Sequence, residues 1–369
     1  MQYHHSSYSS VLLFASSILL SLSLVSAFGN HEQLQPLRIA VLASKDDDEC
    51  LTMLQHLPSQ AEIVAQGVDL EAMKAGAKAN SIEDVECLLV VSGTGEKVEQ
   101  VMKEMKALKW IHGIFAGLDH MKSPTFDNCS DERDIVVTNA KGVFSSSLAE
   151  WCLGAAWYWS KDIVRLNKNK EEKNYDRYSV GELRGKTMGI IGYGDIGRSV
   201  AKLAKAYGMK VVVHRRRPEL SQEDPLVDKV YGNDDIKKVM GMSDFLVVAA
   251  ALTSETEGML GREELEAAKR GQIFMNIGRG KLVDEAALID MLRAGDRIHA
   301  AALDVFCVEP LPTSSPLWTL PNVLLSPHNA DMVINFRHDS VKFFTDNVKR
   351  YVTLGRKGLQ NVVNPKLGY

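Results

Sequence analysis

The feature that most constrains this chain is a glycine loop set between a strand and a helix. Thr187 to Ile191 reads as a buried strand, and Gly192-Tyr193-Gly194-Asp195-Ile196-Gly197 follows it at once. The glycines fall in the pattern G-x-G-x-x-G. Gly192 permits a tight turn, Gly194 lets the backbone come close to a pyrophosphate, and Gly197 lets the helix pack on the strand. The anion then rests on the helix start at Asp195 and Ile196. A second strand, Lys210 to Val213, completes a βαβ unit. Such a unit commits its part of the chain to a parallel sheet covered by helices, with a dinucleotide at its edge.

The second strand of such a unit ends in Asp or Glu when a ribose 2′-hydroxyl is bound. Here the chain reads Val213-His214-Arg215-Arg216-Arg217-Pro218, with no acid. Arginine forks suit phosphate oxygens. Arg215 and Arg216 therefore favour NADP(H) over NAD(H), which stays possible. The other reading of the same residues is a solvated basic turn.

The rest of the chain alternates in the same way. Arg38–Leu42, Cys87–Val91, Trp110–Phe115 and Ile135–Thr138 read as strands before the glycine loop. Phe245–Ala249, Gln272–Asn276 and His299–Leu303 read as strands after it. Between the two sets lie one long helix, Ser145 to about Asn167, and an exposed loop, Lys168 to Arg184. A last helix runs from about Met332 to Thr353. Two such sets predict an α/β fold of two Rossmann-like/flavodoxin-like parallel-sheet domains, with a cleft between them for the active site.

The balance of 43 basic against 47 acidic residues leaves a formal charge of −4, which offers no footprint for nucleic acid. The five cysteines are scattered and none forms C-x-x-C, so neither a disulfide framework nor a metal site is expected. The uncharged stretch Val11 to Ala27 reads as a targeting or signal peptide over residues 1–27, with an uncleaved anchor or a buried helix as alternatives. It would send the chain into the secretory pathway, and no membrane is expected for the mature form. The run Val25-Ser26-Ala27-Phe28 resembles the junction of plastid-targeting leaders in algae with complex plastids.

Three further segments carry polar residues that apolar strand ends do not need. They are Asn276-Ile277-Gly278-Arg279-Gly280, Leu303-Asp304-Val305-Phe306-Cys307-Val308-Glu309-Pro310, and Leu325-Ser326-Pro327-His328-Asn329-Ala330. With these the sequence resembles the D-isomer-specific 2-hydroxyacid dehydrogenase family over nearly all of residues 37–355. The run Glu309-Pro310-Leu311-Pro312 with Ser315-Pro316-Leu317-Trp318 is most similar to its glyoxylate/hydroxypyruvate reductase branch.

The resemblance implies a substrate domain of residues 37–145 plus 325–369, and an NAD(P)-binding domain of 146–324. It implies NAD(P)H-dependent reduction of a small 2-keto acid. Arg279 would fork onto the substrate carboxylate and carbonyl. His328 would supply the proton, and Glu309 would fix its tautomer. Gly93 and Thr94 in Ser92-Gly93-Thr94-Gly95 would complete the carboxylate site, and Ala116-Gly117-Leu118-Asp119 is similar to the family's other substrate loop. Asp304 would meet the nicotinamide carboxamide, with Ile277 and Thr253 as further cofactor contacts. Trp151, Trp157 and Trp159 at helical spacing, together with the resemblance, predict a homodimer. The rival readings are a nucleotide-sensing, corepressor-like binding protein and a D-lactate-type dehydrogenase. The short end after Lys366 weighs against the longer phosphoglycerate dehydrogenases.

Overall fold

The computed structural model describes residues 35–44, 46–77 and 82–367. The expected leader, residues 1–27, lies outside them. Among the described residues thirteen strands form two sheets. In the first sheet are β1 (Leu37–Leu42), β2 (Ala61–Gly67), β3 (Cys87–Val90), β4 (Trp110–Gly113), β5 (Val136–Asn139) and β13 (Val362–Val363). In the second are β6 (Thr187–Ile191), β7 (Lys210–His214), β8 (Lys229–Tyr231), β9 (Phe245–Val248), β10 (Gln272–Asn276), β11 (Ile298–Leu303) and β12 (Val323–Leu325).

The first sheet runs β13-β5-β4-β3-β1-β2, and the second β12-β11-β10-β9-β6-β7-β8. Every pairing is parallel except β13 against β5. The second order is that of a dinucleotide-binding sheet, with its reversal between β6 and β9. The first is flavodoxin-like, with its reversal between β1 and β3. Ligands collect at the strand C-termini of such reversals. The inner strands β3, β4, β9 and β10 are buried residue after residue; β3 and β9 are apolar throughout, while β4 buries His112 and β10 buries Gln272 and Asn276 at its ends.

One apolar core runs from sheet to sheet. It joins Ile39, Val41 and Trp110 of the first to Met188, Ile190 and Ala300 of the second. Phe144 and Phe336 stack within it, with ring centroids 4.5 Å apart. The chain crosses between the sheets next to both residues. The helix Ser145–Ser160 runs alongside the helix Asp195–Ala206 that follows the glycine loop. The last helix, Phe336–Leu354, returns to cover the first sheet: Trp110 lies under the Tyr351 ring at 5.3 Å and the Phe344 ring at 5.4 Å.

Two expectations give way here. The helix expected over Ser145–Asn167 is broken at Asp162, which takes a left-handed conformation and caps a separate helix, Ile163–Glu171, by accepting from the Arg165 N–H. The exposed loop expected from Lys168 therefore begins only after Glu171. Among the described residues no helix is long and apolar enough to cross a membrane, and the five cysteines are unpaired.

Candidate active site

The polar segments all emerge from strand C-termini of the second sheet: Arg279 after β10, Asp304 and Glu309 after β11, His328 after β12. Parallel neighbours in one sheet bring the three loops together.

Asp304 organises the last of them. It is buried, and its Oδ1 accepts from Ser326 Oγ at 2.5 Å and from the N–H groups of Asn329 and Ala330 at 3.0 and 3.2 Å. Its carbonyl accepts from the His328 N–H at 2.8 Å. These bonds hold His328 at φ +53°, a conformation uncommon for a residue with a Cβ. The ring is thereby aimed so that Nδ1 lies 2.8 Å from Glu309 Oε2, while Glu309 Oε1 accepts from the Phe306 N–H at 2.9 Å. Held at both oxygens, Glu309 has little freedom. It leaves Nε2 as the nitrogen turned outward for chemistry.

Arg279 stands in the next loop. Asn276 ties that loop down, donating from Nδ2 to the Arg279 carbonyl and accepting from the Gly278 N–H, both at 3.0 Å. The flanking glycines serve packing: a Cβ on Gly280 would lie 1.9 Å from Phe306 C, and one on Gly278 2.9 Å from Ala250 O. The guanidinium forms an ion pair with Asp119 of the first sheet's 116–119 loop, Nε donating at 2.9 Å. Asp331, just past His328, feels the charges of His328, Asp304 and Arg279. Burial raises its carboxyl above the ordinary range.

On the facing edge, Gly93 adopts φ +149° and Thr94 begins the helix Gly95–Glu104 without a side-chain cap. Neither N–H is spent on another described residue.

The glycine loop fits a pyrophosphate. Gly192 sits at φ +94°, and a Cβ there would lie 2.4 Å from Ala250 N. One on Gly197 would lie 2.6 Å from Gly192 O, and one on Gly194 would meet nothing within 4 Å. Two glycines thus close the turn and the third leaves space beside the uncapped helix start at Asp195 and Ile196. The Asp195 carboxylate turns aside to accept from Ser145 Oγ. Ile277 is buried, its N–H on the Val248 carbonyl at 3.1 Å, and Thr253 N–H donates to Thr256 Oγ1 at 2.8 Å.

Past β7, Arg215 donates to Ser221 Oγ, and Arg216 pairs with Glu255 Oε2 at 3.5 Å. A 2′-phosphate at this turn would compete with Glu255 for Arg216 and with Ser221 for Arg215. Among the described residues no group of three or more His, Cys, Asp and Glu is placed to hold a metal ion. The sequence reasoning missed Asp331 and the pairing of Asp119 with Arg279. Asp331 follows His328 by three residues, and an acid in a loop leading from the expected proton donor was the available signal.

Comparison with known proteins agrees with this geometry. Residues 153–330 match the family model described as D-isomer specific 2-hydroxyacid dehydrogenase, NAD binding domain. The chain is 31% identical to glyoxylate/hydroxypyruvate reductase B of Serratia proteamaculans, over 75% of its own length and 84% of that protein's. It is 32% identical to D-3-phosphoglycerate dehydrogenase of Methanocaldococcus jannaschii over 77% of its length, but spans only 52% of that longer relative. Its fold matches the crystal structure of a D-isomer specific 2-hydroxyacid dehydrogenase from Xanthobacter autotrophicus Py2 in complex with NADPH and MES. The TM-score is 0.76 at 27% identity, over 90% of this chain and 100% of that one.

Proposed function

Because the chain belongs to the D-isomer-specific 2-hydroxyacid dehydrogenase family, we propose that it reduces a small 2-keto acid of the glyoxylate or hydroxypyruvate type with NADPH. The observation that carries this reading is the His328–Glu309 pair at 2.8 Å, held beside Arg279 at the edge of a dinucleotide-binding sheet.

The glycine loop would hold the cofactor's pyrophosphate at the N–H groups of Asp195 and Ile196. Arg215 and Arg216 would take the 2′-phosphate, with Ile277, Thr253 and Asp304 on the nicotinamide side. When bound, the reduced nicotinamide supplies the hydride. Arg279 turns N–H groups onto the substrate carboxylate and carbonyl oxygen, which orients the acid and polarises the C=O bond. Gly93 and Thr94 offer backbone N–H groups to the same carboxylate. His328 gives its Nε2 proton to the oxygen as negative charge develops there, while Glu309 keeps Nδ1 occupied.

Residues 37–145 with 325–369 would form the substrate unit and 146–324 the cofactor unit. Leu153, Trp157, Leu203 and Tyr207 line an apolar hollow between the Ser145–Ser160 and Asp195–Ala206 helices, with Trp157 and Tyr207 about half exposed. We assign this face to a two-fold dimer.

The test is a panel of 2-keto acids assayed with NADPH and with NADH. Glyoxylate and hydroxypyruvate should be reduced fastest, with NADPH preferred. A protein that binds NADPH but reduces no member would point instead to a nucleotide-sensing protein.

A further inference from the structure

Arg279 is engaged from across the cleft. Its Nε donates to Oδ2 of Asp119 at 2.9 Å, its Nη2 lies 2.8 Å from the same oxygen as the ion pair, and its Nη1 donates to the Gly278 carbonyl at 2.8 Å. Asp119 follows β4 of the first sheet and Arg279 follows β10 of the second, so this ion pair links the two sheets. A guanidinium carries five N–H donors in one rigid plane. Among the described residues two are spent in this way, one on Nε and one on Nη1. The three that remain are two on Nη2 and one on Nη1. Because the plane is rigid, holding Nε and Nη1 sets the direction in which they point.

We propose that Asp119 is the positioning residue for Arg279: it holds the guanidinium from the opposite wall and aims the remaining N–H groups at the substrate's carboxylate and carbonyl. The proposal rests on the keto-acid reading above. The geometry of Gly117 supports it independently. A Cβ there would lie 1.8 Å from Nη2 of Arg279 and 3.1 Å from Asp119 Oδ2. Gly117 is not in the left-handed region that favours glycine, so close approach of the pair explains its missing side chain. Both partners are partly exposed, Arg279 at 31% and Asp119 at 44%, so solvent screens their attraction. What the contact supplies is direction, and it does so despite placing a carboxylate near the site of an anionic substrate.

The experiment measures KM and kcat for glyoxylate, KM for NADPH and Tm in wild type, Asp119→Ala, Asp119→Asn and Gly117→Ala. Asp119→Ala should raise the keto-acid KM by roughly tenfold to a hundredfold, the scale of a misplaced orienting group, with NADPH KM and Tm unchanged. Asp119→Asn keeps an acceptor oxygen and should recover part of the loss. Gly117→Ala should resemble Asp119→Ala, since the added methyl displaces the guanidinium. In an Arg279→Ala background, Asp119→Ala should add nothing.

A lower KM in Asp119→Ala would show that the carboxylate merely competes with substrate and would overturn the proposal. So would an unchanged KM with a lower Tm, or an undiminished further loss in the Arg279→Ala background. If wild type reduces no 2-keto acid, the substrate reading falls on its own. The positioning role is then decided by calorimetry with malonate, whose binding Asp119→Ala should weaken; equal binding would overturn it.

Discussion

The two sheets begin their ligand edges with the same device and use it differently. After β3 comes Ser92-Gly93-Thr94 and the helix Gly95–Glu104. After β6 comes Gly192-Tyr193-Gly194 and the helix Asp195–Ala206. Gly93 and Gly192 both take positive φ, and neither helix start has a side-chain cap. Yet a Cβ on Gly95 would lie 2.0 Å from the Lys122 carbonyl oxygen, whereas one on Gly194 would meet nothing within 4 Å. In the first sheet the chain itself covers the helix start, and only the loop before it faces the cleft. In the second the start lies open. A glycine-rich turn thus has two uses, close packing of the chain and close approach of a ligand, and only the space around it tells them apart.

The largest test of this contrast removes a side chain from the second sheet, where the reactive groups stand. His328→Ala should cost on the order of 100- to 10,000-fold in turnover, the usual worth of a general acid, while NADPH affinity stays near wild type. Near-normal keto-acid reduction would mean that the acid lies elsewhere.

A smaller effect comes from the basic turn after β7. Exchanging Arg215→Asp with Arg216→Ala should remove a charge-assisted contact worth roughly 1.5–3 kcal/mol, or about 10- to 150-fold in NADPH affinity. It should also release Glu255. The ratio of kcat/KM for NADPH over NADH reads this out. An unchanged ratio would reduce the arginines to surface charge.

The finest test sets the two glycine loops side by side. Gly95→Ala forces a methyl into the Lys122 carbonyl and should cost about 1–3 kcal/mol of stability, seen as a lower Tm. Gly194→Ala should leave Tm unchanged and weaken NADPH binding in a titration. Equal losses of Tm in the two variants would erase the distinction drawn here.

The parts of this molecule legible in sequence are those where one local rule decides. Thr187–Ile191 and Gln272–Asn276 are strands at the expected residues, because inner parallel strands must be apolar on both faces. The strands given no range in advance, β2, β8, β12 and β13, are edge strands, with exposed or half-exposed residues or only two or three in length. No apolar run longer than three residues marks them. The helix break at Asp162 carries no Gly or Pro to announce it, only an aspartate able to cap the next turn. Arg279, Glu309 and His328 stood out because charged residues beside apolar strand ends need a reason. Asp119 was visible only as part of the 116–119 loop; its pairing with Arg279 was not, since that partner is 160 residues away and on the other sheet.

The return of the last helix to the first sheet has a consequence for how the molecule comes into being. Trp110 is packed beneath Tyr351 and Phe344, and β5 is completed by Val362–Val363. All seven strands of the second sheet lie in the interval. On the ribosome, the half that emerges first cannot close over its own tryptophan until Phe344 and Tyr351, more than 230 residues later, have been made. The half that emerges second completes its sheet from consecutive residues, with shorter loops to close. Order of synthesis and order of folding therefore run in opposite directions, and the early half is the one that must be kept from aggregating while it waits.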